Sequence, residues 1–110
     1  MAFLTKLWTN SDPTAAFAAQ TVELDLSEYE AVLITVRAGR TDGQYWSQMC
    51  FKNEDTYNVS IASKLVASED THSRGAVISG NGVTFTTGYK GSTSGTNYSI
   101  PIYIFGVNIT

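Results

Sequence analysis

Apolar and polar residues alternate with a period of two along most of the chain, the spacing of β-strands and not of helices. Phe3, Thr5, Leu7 and Thr9 interleave with Leu4, Lys6 and Trp8 as a first strand. In residues 21–26, Val22, Leu24 and Leu26 face one way while Thr21, Glu23 and Asp25 face the other. Residues 31–38 follow with Val32, Ile34 and Val36 on the buried side. Residues 44–52 and 57–67 read as two more strands, separated by the turn at Asn53-Glu54-Asp55. Ala76-Val77-Ile78 and Val83-Thr84-Phe85-Thr86 flank Gly80-Asn81-Gly82, and Asn-Gly between β-rich runs is a strong hairpin signal. Residues 98–110 close the chain as a long strand rich in Ile and Tyr, where Gly106 invites a bulge or bend.

Three connections admit specific readings. Asp12-Pro13 is a helix-start signal, so residues 15–19 form either one or two helical turns or an extended loop that drops Phe17 into the core. Residues 68–73 read as a polar loop, and Gly91-Ser92-Thr93-Ser94-Gly95 as a flexible one. About eight strands at short, regular spacing, with no long helical periodicity, predict an all-β fold. The expected architecture is an antiparallel jelly-roll-like β-sandwich filling residues 1–110 as a single domain.

The last strand departs from the pattern. Ile100, Ile102 and Ile104 make one face apolar, but Tyr103, Phe105, Val107 and Ile109 make the other apolar too. A strand apolar on both sides is usually covered on both sides. The second face therefore lies under a loop or the N-terminal segment, or it is a subunit contact.

Composition narrows the function classes. Charged residues are only 15% of the chain, against roughly 25% in an average soluble protein, and 11 Ser and 14 Thr fill the gap. Low charge with many hydroxyls suits extracellular β-proteins and assembled structural proteins. Net charge is −3, and the seven Lys and Arg form no basic stripe, which argues against a nucleic-acid partner. No apolar run approaches a membrane span. The first residues lack the pattern of a signal peptide, so a role outside the producing cell implies release by another route, such as lysis.

Candidate chemistry is sparse. One Cys and one His exclude an internal disulfide and a multi-His or multi-Cys metal centre within one chain, and no metal or cofactor is expected. His72, within Ser68-Glu69-Asp70-Thr71-His72-Ser73-Arg74, reads as a residue of a solvated loop, because triad partners normally come from separate elements. The acidic pairs Glu23/Asp25, Glu28/Glu30, Glu54/Asp55 and Glu69/Asp70 read as strand-surface and turn residues and not as facing glycosidase carboxylates. Asn53-Glu54-Asp55 is a weak calcium-loop candidate. Cys50 reads as a small core residue. The aromatics remain as the chemical lead. Tyr45 and Trp46 are adjacent and point to opposite faces, so one is outward; with Tyr57 and Tyr89 they are the candidate platform for stacking on a sugar ring.

Two stretches carry a resemblance. Leu7-Trp8-Thr9-Asn10-Ser11-Asp12-Pro13-Thr14, then Phe17-Ala18-Ala19-Gln20-Thr21-Val22 and Asp25-Leu26-Ser27-Glu28-Tyr29, resemble small structural proteins of tailed phages and prophages of Gram-positive gut bacteria. Gly82-Val83-Thr84-Phe85 and Ile100-Pro101-Ile102-Tyr103-Ile104-Phe105-Gly106-Val107 fit the same pattern. Such proteins are modules of tail-fibre, baseplate or head-fibre type, frequently β-sandwiches that assemble as trimers. The resemblance implies a non-enzymatic virion component, made in the host cytoplasm and released by lysis. Its partners would be further copies of itself, other virion proteins and a host-surface glycan. It carries over no catalytic residue. In this reading Tyr103, Phe105, Val107 and Ile109 are the oligomer contact, and the loops at 39–43, 53–56 and 89–97 are the outward surface. The rival classes are a carbohydrate-binding module and a small glycosidase or esterase.

Overall fold

The computed structural model describes residues 3–40, 44–51 and 71–108, together with the backbone of 57–64. Among them are nine strands: β1 (Leu4–Thr9), β2 (Gln20–Glu23), β3 (Ala31–Arg37), β4 (Tyr45–Phe51), β5 (Tyr57–Lys64), β6 (Thr71–Ser79), β7 (Gly82–Lys90), β8 (Thr93–Gly95) and β9 (Ile100–Val107). They form two antiparallel sheets. Sheet A has the order β1-β9-β3-β4; sheet B has the order β2-β7-β6-β5, with β8 also paired to β7. The chain is thus the all-β, antiparallel sandwich that the alternation predicts.

The sheets meet through the residues that the period-two pattern places inward. Val32, Ile34 and Val36 of β3, Ile102 and Ile104 of β9, and Ala76, Ile78, Val83 and Phe85 of the β6–β7 hairpin form one core with Val22, Leu26 and Cys50. Each enclosed Ile, Leu or Phe contributes about 1.5–3 kcal/mol relative to exposure, which is why strands this regular hold two layers together. The 10–20 segment forms no helix; it is an extended loop that delivers Phe17 to the core, where its ring meets Phe85 edge-on at 5.6 Å and Trp8 at 6.1 Å. Among the described residues no backbone N–H donates to the Asp12 carboxylate. Instead the Asn10 amide donates to the Pro101 carbonyl and its Oδ1 accepts from the Asp12 N–H, which holds the loop against β9.

Three expectations are corrected. Residues 71–73 belong to β6 and not to a loop, because the ladders to β5 and β7 run on to Thr71 and His72. The 88–97 segment is not a flexible loop: β7 continues to Lys90 and β8 folds back onto it, pairing Gly88 with Gly95 and Lys90 with Thr93. Gly106 makes no bulge, since its register with Thr5 and Val32 is regular. It is needed for a close approach: a Cβ there would lie 2.5 Å from the Tyr29 ring, which packs against the core. The register shift in β1 falls between Lys6 and Trp8, and it leaves adjacent Leu7 and Trp8 both packed against the core.

Candidate functional site

The register of sheet A assembles its outer face from residues far apart in sequence. Leu4, Val107, Ala31 and Phe51 stand in one cross-strand row; Lys6, Phe105, Leu33 and Met49 stand in the next; Thr9, Tyr103, Thr35 and Ser47 follow. Beyond them the Tyr45 ring meets the Tyr103 ring at 6.4 Å, and Tyr103 meets Phe105 at 5.8 Å. Lys6 Nζ sits 4.4 Å above Tyr103 and 5.9 Å from Phe105, and the Arg37 guanidinium lies 5.9 Å from the Tyr45 ring. The first two rows are apolar but for Lys6, the third sets the hydroxyls of Thr9, Thr35 and Ser47 beside Tyr103, and Arg37 stands opposite Tyr45 in the next; part of the face meets water. Tyr45 is 52% exposed, Phe51 51% and Leu4 40%. Among the described residues no strand packs over it: β9 has β1 and β3 as neighbours, and its inner side faces sheet B.

The residues singled out in the sequence are distributed as follows. Tyr103 and Phe105 are half-buried on this outer face. Val107, expected beside them as a contact residue, is fully buried and presents no side chain to a partner, because it is enclosed where β9 is flanked by Leu4 and Ala31. Ile109 lies outside the described residues, as does the side chain of Tyr57. Tyr45 and Trp46 are both exposed, not one of the two, because β4 is an edge strand. Trp46 pairs with Val36 in the inward phase, but at the sheet edge it remains 40% exposed. Tyr89 is exposed on β7, opposite Ser73 in sheet B. It is therefore on the other sheet from Tyr45, and the two do not form one platform. The contacts instead join Tyr45, a glycan candidate, to Tyr103 and Phe105, the oligomer candidates. The rings are inclined by 69° and 59°, so they make a ridged surface and not a flat one.

A second constellation lies inside the sandwich and has no counterpart in the sequence reading. Arg74 is fully buried. Its Nε donates to the Ser99 carbonyl at 2.9 Å, and Nη1 donates to the Phe17 and Thr86 carbonyls at 3.0 and 2.7 Å. Nη2 donates to the Tyr98 carbonyl at 2.9 Å and, more weakly, to Thr96 at 3.5 Å. A guanidinium has five N–H donors, and here each has a carbonyl. The arrangement depends on its surroundings. At Gly75 the β6–β7 register shifts, the Gly75 N–H donates to the Thr86 hydroxyl, and the Thr86 carbonyl is left for Arg74. Ser99 adopts a left-handed φ of 51°, held by its N–H bond to Ala38 and by Arg74 on its carbonyl. Gly88 lets the 95–99 segment close in, since a Cβ there would lie 2.2 Å from the Tyr98 oxygen. Burial pushes the Arg74 guanidinium down to about 10, so at neutral pH it remains a cation.

His72 shares the inward phase of β6 and is 2% exposed, which corrects its reading as a solvated loop residue. Nδ1 lies 2.6 Å from the Ala38 carbonyl; a carbonyl only accepts, so Nδ1 carries the hydrogen. Among the described residues Nε2 has no hydrogen-bond partner, and the ring packs edge-on to Tyr98 at 5.2 Å. The phase His72, Arg74, Ala76, Ile78 is readable by extending the hairpin alternation backwards.

The remaining candidates stay apart. Asp25 accepts from the Ser27 N–H and hydroxyl within its own turn, and Glu23 and Glu28 are exposed. Glu54, Asp55, Glu69, Asp70 and the calcium-loop candidate at 53–55 lie outside the described residues. Among the described residues no three His, Cys, Asp or Glu side chains converge as metal ligands. Cys50 is enclosed in the core, and burial pushes its thiol up to about 11, the opposite of an activated nucleophile. Comparisons with protein-family models, with curated proteins and with solved structures return no match for this chain.

Proposed function

We propose that the chain is a non-enzymatic structural component of a phage virion, of fibre, decoration or receptor-binding type, that assembles with copies of itself through the outer face of sheet A. The observation that carries this reading is the aromatic row Tyr45–Tyr103–Phe105, set among Leu4, Leu33, Met49 and Phe51, with Lys6 and Arg37 as its two cations. A contiguous apolar patch of this kind marks a contact surface. The phage setting rests on the resemblance in residues 7–29, 82–85 and 100–107, which also makes a trimer the expected assembly, with other virion proteins as neighbours and release by host lysis. The inclined rings favour interdigitation with protein side chains over flat stacking on a polysaccharide.

Sedimentation equilibrium at tens of micromolar tests the assembly. The wild type is expected at a multiple of three times the 11.9 kDa chain mass, and Phe105→Glu is expected to abolish the threefold contact while leaving the far-UV spectrum of the sandwich unchanged. A wild type that sediments only as a monomer defeats the proposal. The exposed Trp46 favours a second reading, in which a host-surface glycan stacks on that ring at the rim of the assembly. Titration with cell-wall glycans reads this directly, and an absence of binding across them removes it.

A further inference from the structure

Sheet edges are where a β-protein is open to another strand, and natural edges are commonly blunted by shortness, bulges, lysines or proline. Besides the three-residue β8, three edge strands of this sandwich have described side chains. β1 carries Lys6 and a register shift before Trp8. β2 is only four residues long. β4 has none of these devices. Its seven residues, Tyr45-Trp46-Ser47-Gln48-Met49-Cys50-Phe51, include no charge and no proline, and all seven pair with β3 without a shift. Its other side has no ladder partner among the described residues. Three of the six exposed large hydrophobics, Tyr45, Trp46 and Phe51, are on this one strand.

The strand is also complementary to itself. Antiparallel pairing about a dyad at Gln48 sets Tyr45 opposite the partner's Phe51 and Phe51 opposite the partner's Tyr45, both on the outer face. Trp46 then meets the partner's Cys50, Ser47 meets the partner's Met49, and the two Gln48 amides meet at the axis. Aromatic cross-strand pairs stabilise such a ladder, and no like charges oppose one another. A dyad normal to the sheet keeps outer face with outer face, so the apolar rows of two copies become continuous.

We infer that β4 is a strand-addition site whose occupant is the β4 of a second copy, giving a two-fold pair with one eight-stranded sheet. This contact is separate from the face proposed above: edge pairing alone gives dimers, and both contacts together give a hexamer with a three-fold axis and two-folds.

The test uses the full chain in the Phe105→Glu background, so that loss of the face contact and loss of the edge contact read separately. Gln48→Lys and Gln48→Glu each place like charges across the dyad, and each is expected to weaken dimerisation by roughly tenfold or more in sedimentation velocity. An equimolar mixture of the two is expected to restore it. Gln48→Cys with Cys50→Ala is expected to form a disulfide-linked dimer under mild oxidation, while Ser94→Cys with Cys50→Ala, on exposed β8, stays monomeric on the same gel. The inference is overturned if both charged variants dimerise like their parent, if the mixture fails to recover, or if the Gln48→Cys chain links no better than the Ser94→Cys control. Selective pairing of monomeric chain with an unrelated extended peptide, in place of itself, overturns the choice of occupant.

Discussion

The outer face of sheet A and the inner phase of β6 reverse the usual placement of side chains. On the first, Tyr45, Tyr103, Phe105, Leu4 and Phe51 stand partly in water, with Lys6 over Tyr103 and Phe105. On the second, Arg74 and His72 lie inside, among carbonyls and rings. The energetic consequences differ. Aromatics left half exposed keep part of their hydrophobic free energy in reserve, available to whatever covers them. A buried guanidinium has no such slack: it is tolerable only because every N–H is satisfied, and any carbonyl it releases is stranded. The exposed region is therefore suited to association, whereas the buried one fixes geometry. Arg74 ties together four places that no ladder joins: the Phe17 loop, the β7 shift at Thr86, the turn after β8, and the entry to β9 at Ser99.

The sharpest way to break this contrast is Arg74→Leu. Arg74→Leu takes the guanidinium away from the Phe17, Thr86, Tyr98 and Ser99 carbonyls, and each buried neutral acceptor left unsatisfied costs about 1–3 kcal/mol. Against a typical total of about 5–15 kcal/mol this is a large fraction, and urea unfolding should show it as a lower midpoint with an unchanged slope. Arg74→Lys is expected to recover little, because an ammonium has three donors on one nitrogen and cannot reach carbonyls spread around a planar fork. A loss below about 1 kcal/mol for either variant would mean that the cage is incidental.

Gly106→Ala probes the same interior at a smaller scale. The added methyl would meet the Tyr29 ring at 2.5 Å, and overpacking of this kind costs about 1–3 kcal/mol. The double variant Gly106→Ala, Tyr29→Ala is expected to show strong non-additivity, since the second change removes the obstacle. Equal costs with and without the tyrosine would show that the glycine answers to backbone conformation and not to the ring.

The two regions also differ in how readable they were. β3 was legible because Val32, Ile34 and Val36 alternate without interruption, and the β6–β7 hairpin was legible because Asn81-Gly82 fits a tight reversal. The aromatic face was half legible: Tyr103 and Phe105 announced an apolar second side, but Tyr45 reaches them only through the β9–β3–β4 register, which no local pattern encodes. Tyr89 looked equivalent to Tyr45 and is not, because strand alternation gives a face but not a sheet. The Arg74 cage was illegible for a physical reason. Its partners are all main-chain carbonyls, which every residue has, so no side-chain complement in the sequence marks it. The same holds for Gly88 of β7, whose missing side chain lets the Tyr98 carbonyl crowd Arg74, and for Gly95 of β8, which read as slack and makes room for the Tyr98 ring.

The smallest effect is the one that most directly measures the exposed face. Lys6 is exposed, and its ammonium stands over Tyr103 and Phe105. A cation over aromatic rings at such a site is worth about 0.5–1 kcal/mol, so Lys6→Ala should shift the unfolding midpoint only slightly. The same change removes the one charge from the row Lys6, Phe105, Leu33 and Met49, and charges on exposed sheet surfaces oppose association. Self-association should therefore tighten while the stability of the single fold stays nearly constant, read by sedimentation velocity of the Lys6→Ala chain alongside its urea unfolding at concentrations that keep the chains monomeric. A stability loss above about 2 kcal/mol would place Lys6 among the groups that hold the sandwich together. In that case the outer face would stabilise the fold as much as the interior around Arg74 does, and the division between an associating surface and a fixing core would not describe this protein.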